Sequence, residues 1–106
     1  MKLLLNTPSV SSLERKYVNE AINQNWLSIN GKNTKIFEKK FGILVNRKFT
    51  LAVQSGTAAL HATLKGLGIK KNDNVIVPDY TCVSNLSVVS QCQAKAILVD
   101  LERDTL

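Results

Sequence analysis

The chain has 106 residues, 44% apolar and 21% charged, a composition that fits one small soluble globular domain at the low end of size for a three-layer α/β enzyme. Fourteen basic residues against eight acidic ones give a net charge of +6, spread over Lys32, Lys35, Lys39, Lys40, Arg47, Lys48, Lys65, Lys70 and Lys71. That spread reads as a solvated face that also suits an anionic ligand such as a nucleotide or phosphate, and the few aromatic residues lie too far from the basic clusters for a nucleic-acid stacking platform.

No apolar run approaches the length of a membrane span, and the opening Met-Lys-Leu-Leu-Leu-Asn lacks the sustained apolar region of a signal peptide. Cys82 and Cys92 have no Cys or His beside them, so no zinc spacing is present. They read as reduced thiols of a cytoplasmic protein, with no metal site and no membrane partner expected.

Ser11-Ser12-Leu13-Glu14 fits a capping box with Ser11 as N-cap and Glu14 at N3. Leu13, Tyr17, Val18, Ala21 and Ile22 then form the apolar stripe of a first helix ending near Gln24. Residues 25–31, Asn-Trp-Leu-Ser-Ile-Asn-Gly, have turn residues and no helical period, and read as an ordered loop with Trp26 plugging a core edge. Asn33 or Thr34 caps a second helix with Ile36, Phe37 and Phe41 on one side, and Gly42 marks its end.

Phe49, Leu51 and Val53 predict a short strand, Gln54-Ser55-Gly56-Thr57 a tight turn, and Leu60, Leu64 and Leu67 a helix closed by Gly68 at C′. Where a strand turns through Ser-Gly-Thr into a helix, the first free amides point outward with the positive end of the helix dipole behind them. Such a turn seats phosphate, although many carry a glycine for packing alone.

Lys70-Lys71-Asn72-Asp73 is a polar turn and residues 74–78 an apolar strand stopped by Pro78. Val83, Leu86, Val88 and Val89 give a further amphipathic helix, and residues 96–100 a buried strand. The series β-α-β-α-β predicts an α/β fold with helices flanking a mostly parallel sheet. Ligands gather at the carboxyl ends of such strands, which makes residues 54–57, residues 78–82 and Asp100 the candidates for that edge.

Trp26-Leu-Ser-Ile-Asn-Gly31, Phe37-Glu38, Ser55-Gly-Thr-Ala-Ala-Leu-His61, Gly68-Ile-Lys-Lys-Asn-Asp-Asn-Val-Ile-Val-Pro78, Thr81 and Val99-Asp100 stand in an order and spacing that resembles the DegT/DnrJ/EryC1/StrS family. That family consists largely of pyridoxal-phosphate-dependent sugar aminotransferases, and the resemblance covers nearly the whole chain from Asn6 to Leu106. It implies a fold-type-I aminotransferase of which residues 1–106 are an incomplete amino-terminal segment of the cofactor-binding domain.

The resemblance implies further that the backbone at Gly56 and Thr57 holds the phosphate of pyridoxal 5′-phosphate (PLP). Cys82 falls where the family commonly sets an aromatic side chain against the cofactor ring, and a thiol there offers polarizable contact over less area. The implied partners are a nucleotide-linked keto-sugar, glutamate as amino donor and a second copy of the chain.

PLP chemistry needs a lysine as covalent anchor and an acid beside the pyridine nitrogen. In the family both lie beyond the position of Leu106. Lys65, Lys70 and Lys71 read as solvated, and Asp100 as a strand-ending turn residue, so no catalytic residue is assigned. His61 with Ser55 and Asp100 suggests a Ser-His-Asp set, but no glycine precedes Ser55 by two residues as a nucleophile elbow requires. His61 reads as a packed or partly exposed helix histidine.

Three functions follow: a segment of a nucleotide-sugar aminotransferase, inactive alone; a non-catalytic phosphate-binding or interaction domain; and a sugar dehydratase of the same family. A lysine or a histidine at the downstream anchor position separates the first from the third.

Overall fold

The computed structural model describes residues 6–26 and 31–104, as two compact units, Met1–Ala52 and Val53–Leu106. The first unit holds α1 (Ser12–Asn23) and α2 (Lys32–Leu44); the second holds α3 (Gly56–Gly66), β1 (Asn74–Pro78), α4 (Val83–Gln91) and β2 (Lys95–Val99).

Ser11 caps α1 as the sequence predicts. Its Oγ accepts from the Leu13 amide at 3.1 Å, while the Glu14 carboxylate accepts from the Ser11 amide at 2.7 Å and from the Ser11 hydroxyl. The apolar stripe is real but uncovered: Leu13, Tyr17, Val18 and Ile22 are each more than half exposed. Trp26 is likewise 46% exposed instead of plugging a core, and residues 27–30 of the expected loop lie outside the described residues.

Two expectations for α2 are corrected. Its N-cap is Gly31, with extended backbone and its carbonyl accepting from Lys35, so Asn33 and Thr34 lie inside the first turn. Gly42 does not end the helix, which runs to Leu44; it is buried because other chain atoms approach it closely. A Cβ there would stand 2.9 Å from the Arg47 carbonyl oxygen and 3.3 Å from Thr50 Oγ1. On the same helix Phe37 and Phe41 stack with ring centroids 5.6 Å apart.

The predicted strand at residues 49–53 is not formed. Among the described residues the only sheet is the β1–β2 pair, so the segment has no ladder to join. Its alternation survives with the apolar side outward: Phe49 and Leu51 are exposed while Thr50 and Ala52 turn inward, bonded to α2. The β-α-β-α-β series therefore reduces to one β-α-β unit, β1–α4–β2.

In that unit β1 and β2 are parallel, in register from Asn74 opposite Lys95 to Pro78 opposite Val99. The polar turn before β1 forms as expected, with the Asp73 carboxylate accepting from the Lys70 amide at 2.9 Å. Helix α4 packs on both strands and α3 packs on α4. Among the described residues, the fully apolar core is small: Val77 from β1, Val88 and Val89 from α4, and Cys92 at its C-cap.

All four helices close their carboxyl ends alike. Asn25, Asn46, Gly68 and Gln93 stand at C′ with positive φ, each amide bonding to the carbonyl at C2, and the next amide bonding to C3. Gly68 was the predicted stop for α3. The other three are side-chain-bearing residues in the left-handed region, of which Asn tolerates it best.

The Ser11 hydroxyl, followed by main-chain hydrogen bonds, holds the Glu14 carboxyl below its ordinary value of 4.5. A carboxyl depressed in the folded state contributes stability that is present above the unfolded pKa and lost as pH falls through the folded pKa. The amides of the first turn of α1 should therefore shift toward less helical values on acidification below the ordinary glutamate range. Glu14→Gln should remove that step; an identical acid transition in parent and variant would contradict the assignment.

Candidate cofactor-binding site

A helix start leaves its first amides without intrahelical acceptors, and α3 satisfies only part of that set. Ser55, with extended backbone, accepts from the Ala58 amide through Oγ at 3.2 Å, and its carbonyl accepts from Ala59 at 3.0 Å. Among the described residues no acceptor is recorded for the amides of Gly56 and Thr57. The first turn carries no acidic side chain and the last turn carries Lys65, so nothing on the helix neutralises its positive amino end.

Gly56 is not a glycine because the chain requires one. Its φ lies outside the left-handed region, and no atom lies within 4 Å of a Cβ built there. Open space beside two free amides is what a phosphate would occupy. Thr57, half-buried, adds a hydroxyl in the same turn.

Leu60 and Leu64 of α3 share an apolar cavity of about 160 Å³ with Val77 and Pro78 of β1 and with Asn85 and Val88 of α4. Thus the middle of α3 and the first half of α4 face each other across this cavity beside β1. At the carboxyl end of β1 the Asp79 amide bonds to the Val99 carbonyl at 3.0 Å, and the chain runs through exposed Tyr80 and Thr81 to Cys82, the N-cap of α4. Cys82 is exposed and makes no side-chain capping bond; Cys92 is buried, and both thiols are free.

The structure does not assemble a Ser-His-Asp set. Ser55 Oγ is engaged by Ala58, and the Asp100 carboxylate accepts from the Leu101 amide at 3.0 Å, a strand-end turn as read from sequence. His61 is partly buried, its Nε2 shielded from solvent and without a partner among the described residues. Lys65, Lys70 and Lys71 are exposed.

Two residues escaped the sequence reading. Glu38 accepts from the Ala52 amide at 2.9 Å through Oε1, and its carbonyl accepts from Thr50 Oγ1 at 2.6 Å. The missed signal was a carboxylate placed next to Phe37 on the apolar side of α2. Asn85 donates through Nδ2 to Thr81 Oγ1 at 2.8 Å, and its amide bonds to the Cys82 carbonyl at 3.0 Å. Its signal was an amide side chain at N3 of a helix whose N-cap is a poor capping residue.

The model of the DegT/DnrJ/EryC1/StrS aminotransferase family matches residues 8–106. The chain belongs to that family. It is 37% identical over 99 residues to a GDP-perosamine synthase of Vibrio cholerae, an alignment that covers 93% of this chain and 27% of the relative. An assigned sugar aminotransferase of Streptococcus pneumoniae, solved in its PLP form, superposes with a TM-score of 0.89 at 28% identity, over 99% of this chain and 26% of that one.

A GDP-4-keto-6-deoxy-D-mannose-3-dehydratase of E. coli with bound hydrated PLP superposes at 0.85 over 96% of this chain and 28% of that one. At 23% identity that likeness concerns the fold alone. The chain thus spans about a quarter of the length of the family members it matches, and its architecture is that of part of an α/β aminotransferase domain. No helix among the described residues is long and apolar enough to cross a membrane.

Truncating Glu38 leaves the Ala52 amide without its carboxylate. A hydrogen bond to a charged group contributes about 1.5 to 3 kcal/mol, so Glu38→Ala should speed hydrogen exchange at Ala52 about tenfold or more, and Glu38→Gln by less. Unchanged exchange in Glu38→Ala would show that the bond does not hold the segment.

Proposed function

We propose that this chain is the amino-terminal segment of a cytoplasmic nucleotide-sugar aminotransferase that works with PLP. The supporting observation is the amino end of α3, where two amides without acceptors flank a glycine that neither backbone conformation nor packing demands. The same residues are those to which the family resemblance assigns the phosphate.

In this reading the Gly56 and Thr57 amides and the Thr57 hydroxyl bind the phosphate, helped by the α3 dipole. Cys82, at the start of α4 beside the carboxyl end of β1, would lie against one face of the ring. PLP, when bound, supplies the electron sink for moving an amino group between an amino acid and a keto-sugar. The chain's own share is to bind and orient; the covalent anchor and the acid beside the ring nitrogen belong to polypeptide beyond these residues.

The likeness to a GDP-perosamine synthase supports a GDP-linked sugar as substrate, and glutamate is proposed as the amino donor on the family resemblance alone. The uncovered stripe of α1 supports assembly with a second copy, since exposed apolar surface of that kind marks an interface. The dehydratase reading has the fold in its favour and nothing at the level of these residues.

Because space is open at Gly56, the fold should tolerate a side chain there that a bound phosphate would not. In the complete polypeptide, Thr57→Val should weaken PLP binding about tenfold to a hundredfold, the loss of one hydrogen bond to a charged oxygen. Gly56→Val should weaken it more, by displacing several donors. Absorbance titration reads both, and parent-like affinity in Gly56→Val would put the phosphate elsewhere. The 106-residue chain alone should show no multiple turnover with PLP and glutamate in a coupled transamination assay.

A further inference from the structure

The start of α4 breaks a local rule. N-cap positions favour Ser, Thr, Asp or Asn, whose side chains accept from the N2 or N3 amide. Cys82 occupies this N-cap with extended backbone, φ −60° and ψ 136°, and no side-chain bond to the helix. Its thiol is exposed. Local rules are characteristically broken where a residue serves something other than the fold.

The loop before the helix is held from inside it. Asn85, at N3, sends Nδ2 back to Thr81 Oγ1 at 2.8 Å, and its own amide bonds to the Cys82 carbonyl at 3.0 Å. One residue therefore grips the chain on both sides of the Cys82 side chain. Asn85 is itself half-buried against the cavity formed with Leu60, Pro78 and Val88, which limits its rotamers. The side chain at position 82 is released from capping while the backbone carrying it is fixed.

We propose that Asn85 is a positioning residue for cofactor binding: by holding the Thr81 hydroxyl beside residue 82, its side chain fixes the backbone that would present the position-82 side chain to the ring of PLP. The inference rests on the reading of Gly56, Thr57 and Cys82 given above. It adds that residue 82 is free to vary with the ligand because its side chain has no capping bond to lose. It also gives the Thr81 hydroxyl a fixed orientation, since its oxygen accepts from Asn85.

The test uses the complete polypeptide, with PLP affinity read by absorbance, inorganic phosphate as competitor, and a melting curve for each variant. Asn85→Leu keeps the branched shape and loses both polar groups of the side chain; Asn85→Asp replaces the donor by an acceptor to which the Thr81 hydroxyl can turn and donate, at a helix start that favours negative charge. Asn85→Leu should raise the Kd for PLP about three- to tenfold, leaving the phosphate competition constant unchanged, and Asn85→Asp should stay near the parent.

Cys82→Phe should tighten PLP binding in the parent, and that gain should shrink by a similar factor when residue 85 is Leu. An equal gain in both backgrounds overturns the proposal, as does an Asn85→Leu variant that binds PLP like the parent or loses PLP and phosphate together. If Cys82→Phe changes nothing in the parent, the ring contact at residue 82 is itself wrong and the proposal falls with it. The phosphate seat at Gly56 and Thr57 would be judged separately by its own variants.

Discussion

Every helix must find partners for its first amides and last carbonyls, and in this chain the two ends are handled differently. The carboxyl ends close on themselves through Asn25, Asn46, Gly68 and Gln93, without help from any ligand. The amino ends do not. Only α1 has a full reciprocal cap; α3 has the Ser55 hydroxyl on one amide, and α2 and α4 have no side-chain cap at all. Amides left over at a helix start stabilise an anion, and the proposed phosphate seat rests on that asymmetry. At the start of α3 stands Gly56, with room beside its backbone that no described residue outside its own helix and chain neighbours fills.

Much of the fold was legible in residues whose chemistry is local. Ser11 and Glu14 carry their capping box in the sequence, Pro78 stops β1, and Gly68 closes α3 because it accepts positive φ without strain. The errors came where a distant partner decides. Residues 49–53 have the alternation of a strand, but Glu38 takes the Ala52 amide that a ladder would have used, and no strand lies beside them among the described residues. Gly42 was read as a stop because glycine weakens helices; its actual reason is the Arg47 carbonyl folded back to within contact distance, which no local pattern reveals.

The candidate site was legible for the same reason in part. A Ser-Gly-Thr turn entering a helix announces free amides, whereas the bracket that Asn85 forms around Cys82 depends on a loop geometry that spacing does not encode. The small core and the exposed apolar stripes fit a chain spanning 27% of a relative's length. Val77, Val88, Val89 and Cys92 join β1 to α4, while β2, expected from the sequence to be buried, is exposed along its whole length, as is the Leu13 to Ile22 face of α1.

The central claim, that the amino end of α3 binds the cofactor's phosphate, is tested most directly by following backbone amide resonances of the complete polypeptide as PLP is added. The account predicts that the Gly56 and Thr57 amides move the furthest, that inorganic phosphate alone moves the same two, and that only PLP also moves the amides around Cys82. Saturation by PLP with the Gly56 and Thr57 resonances unmoved would contradict it.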